Sequence, residues 1–490
     1  MNDYTFYLNK YNEYGEVTEL TYPIATIVGL PSAKLSELVL FENGDRGQII
    51  SLQEDIAQVL LFSQSRLKTG TKVSRTDTHL SIPVGKRMLG HIINPFGQPL
   101  SSTVPQPESE EQRFIDIPPQ GIANRVKITK TLSTGASVSD IMIPMGRGQR
   151  ELVLGDRKTG KTTFVLNTIR AQMAEGTIAI YAAIGKKSND IKHLEAFMAE
   201  GDRAGQMIIV ATGASDSPGL IYLTPFTAMT LAEYFRDQGK HVILVMDDLL
   251  THAKFYREFA LLAQTFPGRD SYPADVFHVH ARLLERAGNF KHPEAGEVSI
   301  SCLPIVETQD GDFTGYIVSN LMSVTDGHLF FDTSVFARGR RPAINIPLSV
   351  TRVGKQTQDH ILKDINRELS SLFAIYQRVE SLSHFGSEMT DSVKSIFQTG
   401  DRVYSFFNQP AREIVTKEVS LILFALIWLH KITDETQVEA ARANLIQAVT
   451  IPENQAFLRS LLQVETFNAL LKNVTDYEAK ILELCKPQNK

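Results

Sequence analysis

The chain's 490 residues are enough for about three domains. With 43% hydrophobic and 21% charged residues it is globular, not disordered, and a net charge of −5 argues against a general nucleic-acid binder. The two cysteines, Cys302 and Cys485, lie far apart and offer neither a zinc spacing nor a disulfide framework, which fits a reducing compartment.

The opening stretch MNDYTFYLNK lacks the basic-then-apolar pattern of a signal peptide. Residues 1–80 read as β-rich: YPIATIVGL, ELVLF, GQIISLQ and AQVLLF are short apolar runs split by turn signals. Asn43-Gly44, between LVLF and GQIIS, is a hairpin cue. A small β-barrel used for assembly is the simplest account of this part.

From 81 to 355 the pattern becomes α/β. Glu151–Leu154, Thr177–Ala183, Met207–Thr212 and His241–Met246 are apolar strands separated by helical segments. Leu166, Ile169 and Met173 share one helical face, and Gly176 stops that helix. Such alternation implies a parallel sheet covered by helices, with ligands at the carboxyl ends of its strands. Gly155 and Asp247 both fall at such ends.

The stretch RELVLGDRKTGKTTF carries the chemistry. GDRKTGKT fits the phosphate-loop pattern at Gly155, Gly160, Lys161 and Thr162, with an apolar strand before it and a helix after it. Glycines there let backbone N–H groups close around phosphate oxygens, and the helix N-terminus adds partial positive charge. Lys161 can reach the outer phosphates, and the Thr162 hydroxyl can ligate Mg²⁺. HVILVMDDLL supplies the acidic partner of such a loop. Asp247, nearest the strand, is the residue expected to orient Mg²⁺ or its water. His278 and His280 tempt a metal reading, but no third ligand is near, so packed or solvated histidines are expected; Glu285 and Arg286 are expected on one solvated face.

From 356 to 490 the chain reads as helical. Ile361, Ile365, Leu369, Leu372 and Tyr376 recur at helical spacing, and long proline-free stretches permit long helices. The longest apolar run, Val419 to Leu429, is about half of a membrane span and reads as a buried helix, so any membrane link runs through partners.

With these residues in place, the chain resembles the alpha subunit of F-type ATP synthases. MGRGQRELVLGDRKTGKT, VILVMDDLLTHAKFYREFALL, FPGRDSYPADVFHVHARLLERA, LPIVETQDGDFTGYIVSNLMSVTDG and RRPAINIPLSVTRVG carry the similarity, which runs from about Thr21 to about Gly386 and weakens beyond. The resemblance implies a multidomain α/β chain: an N-terminal β-barrel (1–80), a RecA-like nucleotide domain (81–355) and a C-terminal helical bundle (356–490). It also implies a ring of three alpha and three beta chains around a gamma stalk, with a peripheral stalk and a membrane sector moving protons or sodium ions. The whole would sit on the cytoplasmic face of a bacterial or archaeal plasma membrane.

Site residues follow from the same resemblance. Gly155, Asp156, Arg157, Lys158, Thr159, Gly160, Lys161, Thr162 and Thr163 would hold the phosphates of ATP or ADP, with Thr162 and Asp247 on Mg²⁺. Arg341 and Pro342 match the family's adenine-side pair, and Gln409 matches one of two glutamines flanking the base; Phe407 falls where the other is sought. Arg352 matches the arginine that alpha chains project into the neighbouring beta site, an arginine finger. Catalytic relatives place a water-activating Glu just after the strand that follows the phosphate loop. Here that position is Lys186, where alpha chains have Gln, and the nearest acid is Asp190. A protonated lysine is no general base, so a non-catalytic pocket is expected. Lys158 and Lys186 replace glutamines and are expected to add positive charge around one phosphate site.

About twenty residues are expected before the first barrel strand, too few for the helical segment that docks a delta subunit, which fits a divergent or alternate F-type complex. Two other functions compete. A self-sufficient motor ATPase of secretion or helicase type is disfavoured by Lys186. A scaffold with a vestigial loop is disfavoured by the intact Gly155, Gly160, Lys161, Thr162 and Asp247.

Overall fold

The computed structural model describes residues 3–64, 67–101, 105–201, 204–383 and 391–487. Gly386, where the strong resemblance ends, and the last three residues lie outside these. Among the described residues the chain forms two compact units. One comprises Met1–Val126, Gly176–Glu307 and Asp312–Thr325, the other Lys127–Glu175, Thr308–Gly311 and Asp326–Lys490.

The first unit, the barrel unit, opens with a short helix α1 (Tyr4–Tyr11) that buries none of its residues. Six antiparallel strands follow: β1 (Tyr14–Thr21), β2 (Ile24–Val28), β3 (Glu37–Phe41), β4 (Arg46–Leu52), β5 (Ile56–Leu61) and β6 (Lys72–His79). They close in the order β1-β2-β5-β4-β3-β6 around Val17, Ile27, Val39, Phe41, Val59 and Val73. Gly44, at φ 88°, turns the β3–β4 hairpin where the Asn-Gly cue stands. The first barrel strand begins at Tyr14, so fewer residues precede the barrel than expected. YGEVTELT hides its strand character because it turns only Gly15 and Val17 fully inward.

The same unit holds a parallel sheet. Its neighbouring strands are, in order, Gly296–Glu307, Val242–Asp247, Ile178–Lys186, Met207–Gly213 and the short Ile92–Ile93. Gly288–His292 pairs antiparallel with Gly296–Glu307. Val242–Asp247 is buried along its whole length, as its unbroken apolar run requires. The helix Pro218–Asp237 is buried over most of its surface; Ser217 caps it by accepting from the Leu220 N–H, and Pro218 sits in its first turn.

His278 is exposed, whereas His280 is fully buried and meets His252, Nε2 to Nδ1, at 3.1 Å. Among the described residues, no group of three His, Cys, Asp or Glu side chains could hold a metal ion. Glu285 is exposed, but Arg286 is not on a solvated face: it is buried. It donates to both oxygens of Glu233 (2.6 and 3.2 Å), to the Ile115 carbonyl (2.7 Å) and to Thr230 Oγ1 (3.0 Å). Helical spacing alone cannot reveal this, because Glu233 and Ile115 come from distant segments.

In the second unit, the phosphate-loop unit, strand Glu151–Gly155 pairs parallel with Gly327–Phe331, which pairs antiparallel with Val350–Thr351. The helix Lys161–Ala174 ends just before Gly176. It buries Ile169 and Met173 but leaves Leu166 half-buried, with Phe164, Val165 and Thr168 covered instead. The C-terminal part is all helix. His360–Ser383 buries Ile361, Ile365, Leu369, Phe373 and Tyr376, with Leu372 at the margin. Lys417–Trp428 is buried continuously from Val419 to Ile427. None of the described helices is long and apolar enough to cross a membrane.

Candidate nucleotide site

The phosphate loop leaves the buried strand Glu151–Gly155 and enters the helix at Lys161. Gly155 has φ 146°, and a Cβ there would lie 2.2 Å from the Phe331 carbonyl oxygen. Only glycine allows the strand to lie that close and still turn. Lys158 (φ 63°) and Gly160 (φ 98°) complete the reversal. Gly160 stands at the N-cap and has no side chain to offer, so no side chain caps the helix. Uncapped N–H groups at a helix start are the donors that an anion takes up.

The loop is braced from within. Lys161 is buried and donates through Nζ to the Gly155 (2.7 Å) and Asp156 (2.5 Å) carbonyls. Thr159 Oγ1 donates to the Asp156 carbonyl, and Asp156 Oδ1 accepts from Thr308 Oγ1 (2.7 Å) and the Gly311 N–H (3.0 Å). Asp156 thus anchors the loop through its side chain. Arg157, Lys158, Thr162 and Thr163 are exposed.

Beside the loop lies a cavity of about 240 Å³. Thr159, Gly160 and Thr163 line it from the loop side, with Arg341, Pro342 and Gln409 opposite. Gln409 is a buried brace: its Nε2 donates to the Gly135 carbonyl (3.0 Å) and its Oε1 accepts from the Ser137 N–H (2.7 Å). Arg341 lies over the Phe336 ring, 3.4 Å from its centroid, and donates to the Phe336 and Arg340 carbonyls. Both residues shape the wall by holding backbone.

Phe164, Phe336, Asn167 and Glu413 also line this cavity. Sequence reasoning passed over them. Phe336, just upstream of Arg341-Pro342, was open to it; Glu413, in a loop, was not, because its buried partner Arg442, 2.6 Å away, comes from the distant helix Glu435–Ala448.

In the barrel unit, Asp247 ends its strand and is buried. Its Oδ2 accepts from the Tyr181 hydroxyl (2.6 Å) and its Oδ1 from the Lys186 ammonium (2.6 Å). Tyr181 and Lys186 both lie on Ile178–Lys186, whose parallel register sets Ala183 opposite Asp247. Burial alone would lower the Lys186 pKa, but the carboxylates of Asp247, Asp248 and Glu307 outweigh it and raise it, so the side chain stays cationic. Burial, then Asp247, pushes Tyr181 well above the usual phenol range. Asp248 caps the helix Leu249–Leu262, accepting from the Leu250 N–H and Thr251 Oγ1; burial lifts its pKa to about 6. Asp190 is exposed in the first turn of Ser188–Ala199.

This arrangement fits a divalent cation on Asp247 poorly. Both carboxylate oxygens already accept a hydrogen bond, one from a full positive charge. Two unit charges 4 Å apart interact by about 4 kcal/mol at a protein-like dielectric, and a divalent ion doubles that repulsion. It also corrects the expected charge balance. The Lys186 ammonium is matched by Asp247 and adds no free positive charge to a phosphate site.

Arg352 directly follows Val350–Thr351 and is exposed; its N–H donates to the Asp326 carbonyl (3.0 Å). Glu151 is held well above the usual carboxylate range, first by burial and then by Asp326, while Arg352 pulls the other way.

Residues 135–351 match the model of the ATP synthase alpha/beta family, nucleotide-binding domain. Residues 358–486 match that of the ATP synthase alpha/beta chain, C terminal domain. The chain belongs to the ATP synthase alpha/beta family. Within it the chain is similar to alpha subunits. It is 39% identical to ATP synthase subunit alpha of Sulfurovum sp. (strain NBC37-1) over 418 residues, 84% of this chain and 82% of that one. It is 39% identical to ATP synthase subunit alpha of Anaplasma phagocytophilum (strain HZ) over 410 residues, 82% and 81% of the two chains. The barrel, the nucleotide-binding part and the C-terminal helices make up the architecture of an ATP synthase alpha chain.

Proposed function

We propose that this alpha-type chain holds ATP or ADP without hydrolysing it and serves the beta chains of a rotary ATP synthase or ATPase. The observation that carries the reading is Lys186. A cationic side chain stands where catalytic relatives need a carboxylate, and it is paired to the acid of the nucleotide motif at 2.6 Å. A water molecule cannot lose its proton to an ammonium.

On this reading Gly155 to Thr163 cradle the phosphates. Lys161 exchanges the Gly155 and Asp156 carbonyls for phosphate oxygens, and the cavity walled by Arg341, Pro342 and Gln409 takes the base. Thr162 and Asp247 were the expected Mg²⁺ ligands. Asp247 fits that role poorly, because both its carboxylate oxygens already accept hydrogen bonds from Tyr181 and Lys186. Arg352 would act in trans as a finger on a beta-site phosphoryl group, a contribution worth about 10³–10⁵ in rate. A gamma stalk, a peripheral stalk and a proton- or sodium-moving membrane sector complete the complex, at the cytoplasmic face of a plasma membrane. The three-part division at residues 80 and 355 belongs to the same reading.

The test is to purify the chain alone and together with a beta chain of the same complex. Nucleotide binding without turnover alone, and turnover with beta, support the proposal. Turnover by the isolated chain refutes it in favour of a self-sufficient motor, and absence of binding refutes it in favour of a scaffold. Arg352→Ala in the assembled complex is expected to lower turnover by about 10³ or more while leaving binding to the isolated chain unchanged.

A further inference from the structure

We infer that Lys186 takes the charge-balancing place of a divalent cation at Asp247, so that this chain binds nucleotide without requiring Mg²⁺. The inference rests on the nucleotide-binding reading above and departs from it in one respect, the metal. Asp247 is expected to serve a phosphate loop by orienting a cation that offsets phosphate charge. Here a covalently attached cation already occupies that carboxylate, at 2.6 Å, in a charge-assisted hydrogen bond.

The pair is built into the sheet. Asp247 is almost wholly buried, and the Lys186 side chain is only one-fifth exposed. The second carboxylate oxygen is fixed by the Tyr181 hydroxyl at 2.6 Å. The parallel pairing of Ile178–Ala183 with Val242–Asp247 holds donors and acceptor in register. Glutamine at position 186 could hydrogen-bond Asp247 but could not neutralise it, which is why the residue type matters.

The experiment uses the full chain stripped of nucleotide, with ATP affinity measured in excess Mg²⁺ and again in excess EDTA. Wild type is expected to show dissociation constants that agree within about threefold. Lys186→Gln is expected to bind as wild type does with Mg²⁺ but about tenfold or more weaker in EDTA, because Asp247 is then left without a counter-charge. The double variant Lys186→Gln/Asp247→Asn, with neither charge, is expected to regain indifference to Mg²⁺. This return separates charge balance from a merely structural role.

If wild type loses tenfold or more of its affinity in EDTA, or if Lys186→Gln is as indifferent to Mg²⁺ as wild type, the inference is overturned and the nucleotide-binding reading stands. If wild type binds ATP under neither condition, that reading falls and the inference with it. The wild-type comparison needs no variant to fold.

Discussion

Glu233→Gln should loosen the barrel unit far more than a near-isosteric exchange suggests. Glu233 holds the buried Arg286 through two hydrogen bonds and lies 3.6 Å from the equally buried Arg236. Gln keeps the shape and one acceptor but removes the counter-charge. Arg236 retains Asp237 at 2.7 Å, whereas Arg286 is left with the Ile115 carbonyl and the Thr230 hydroxyl. Leaving a buried charge unpaired costs about 3–5 kcal/mol. The sole tryptophan, Trp428, belongs to the other unit, so its fluorescence does not report this loss. Amide hydrogen exchange along Pro218–Asp237 does. At about 1.4 kcal/mol per decade, its slowest amides should exchange about 10² to 4 × 10³ times faster than in wild type. A Glu233→Leu/Arg286→Met double variant removes both charges and should recover most of the protection. Exchange within threefold of wild type for Glu233→Gln, or a double variant as loose as the sum of the singles, would refute the reasoning.

Three further outcomes follow from the geometry. The buried His252–His280 pair should weaken the barrel unit in acid. Burial lowers the His252 pKa to about 4, and burial together with His252 takes His280 well below its usual value, so both are neutral when folded. The unfolded chain binds protons at about 6.5, so this stability is complete above that pH and drains as pH falls toward 4, by up to about 3 kcal/mol for His252. Exchange along Leu249–Leu262 measured from pH 7 to pH 5 should show the slope, and His252→Gln should flatten it. Gly155→Ala should cost the phosphate-loop unit about 3 kcal/mol, since its Cβ would meet the Phe331 carbonyl at 2.2 Å; a lower urea midpoint by Trp428 fluorescence, with ATP affinity lost, checks this. Gln409→Leu should destabilise the same unit by about 1–3 kcal/mol by stranding the Gly135 carbonyl and Ser137 N–H, again read by Trp428. An unchanged midpoint would show that the Gln409 amide is not a brace.

The residue order alone determined the elements and the chemistry they carry. GDRKTGKT lies between an apolar strand and a helix, VILVMD ends on an acid, and position 186 is a lysine; each is written in adjacent residues, where backbone preference and side-chain period act. Strands β1 and β6 were missed, because their patterns are too polar to stand out, and Gly296–Glu307 and Gly327–Phe331 were not read as strands either. What the tertiary structure decided is how the charges are matched. Lys186 and Asp247, Arg286 and Glu233, Glu413 and Arg442 meet only because strand register and helix packing bring distant segments together. A buried charge needs a partner at hydrogen-bonding distance, and which partner it finds is a property of the packed chain, so the lysine that sequence placed beside a phosphate site is matched instead by an aspartate on the neighbouring strand.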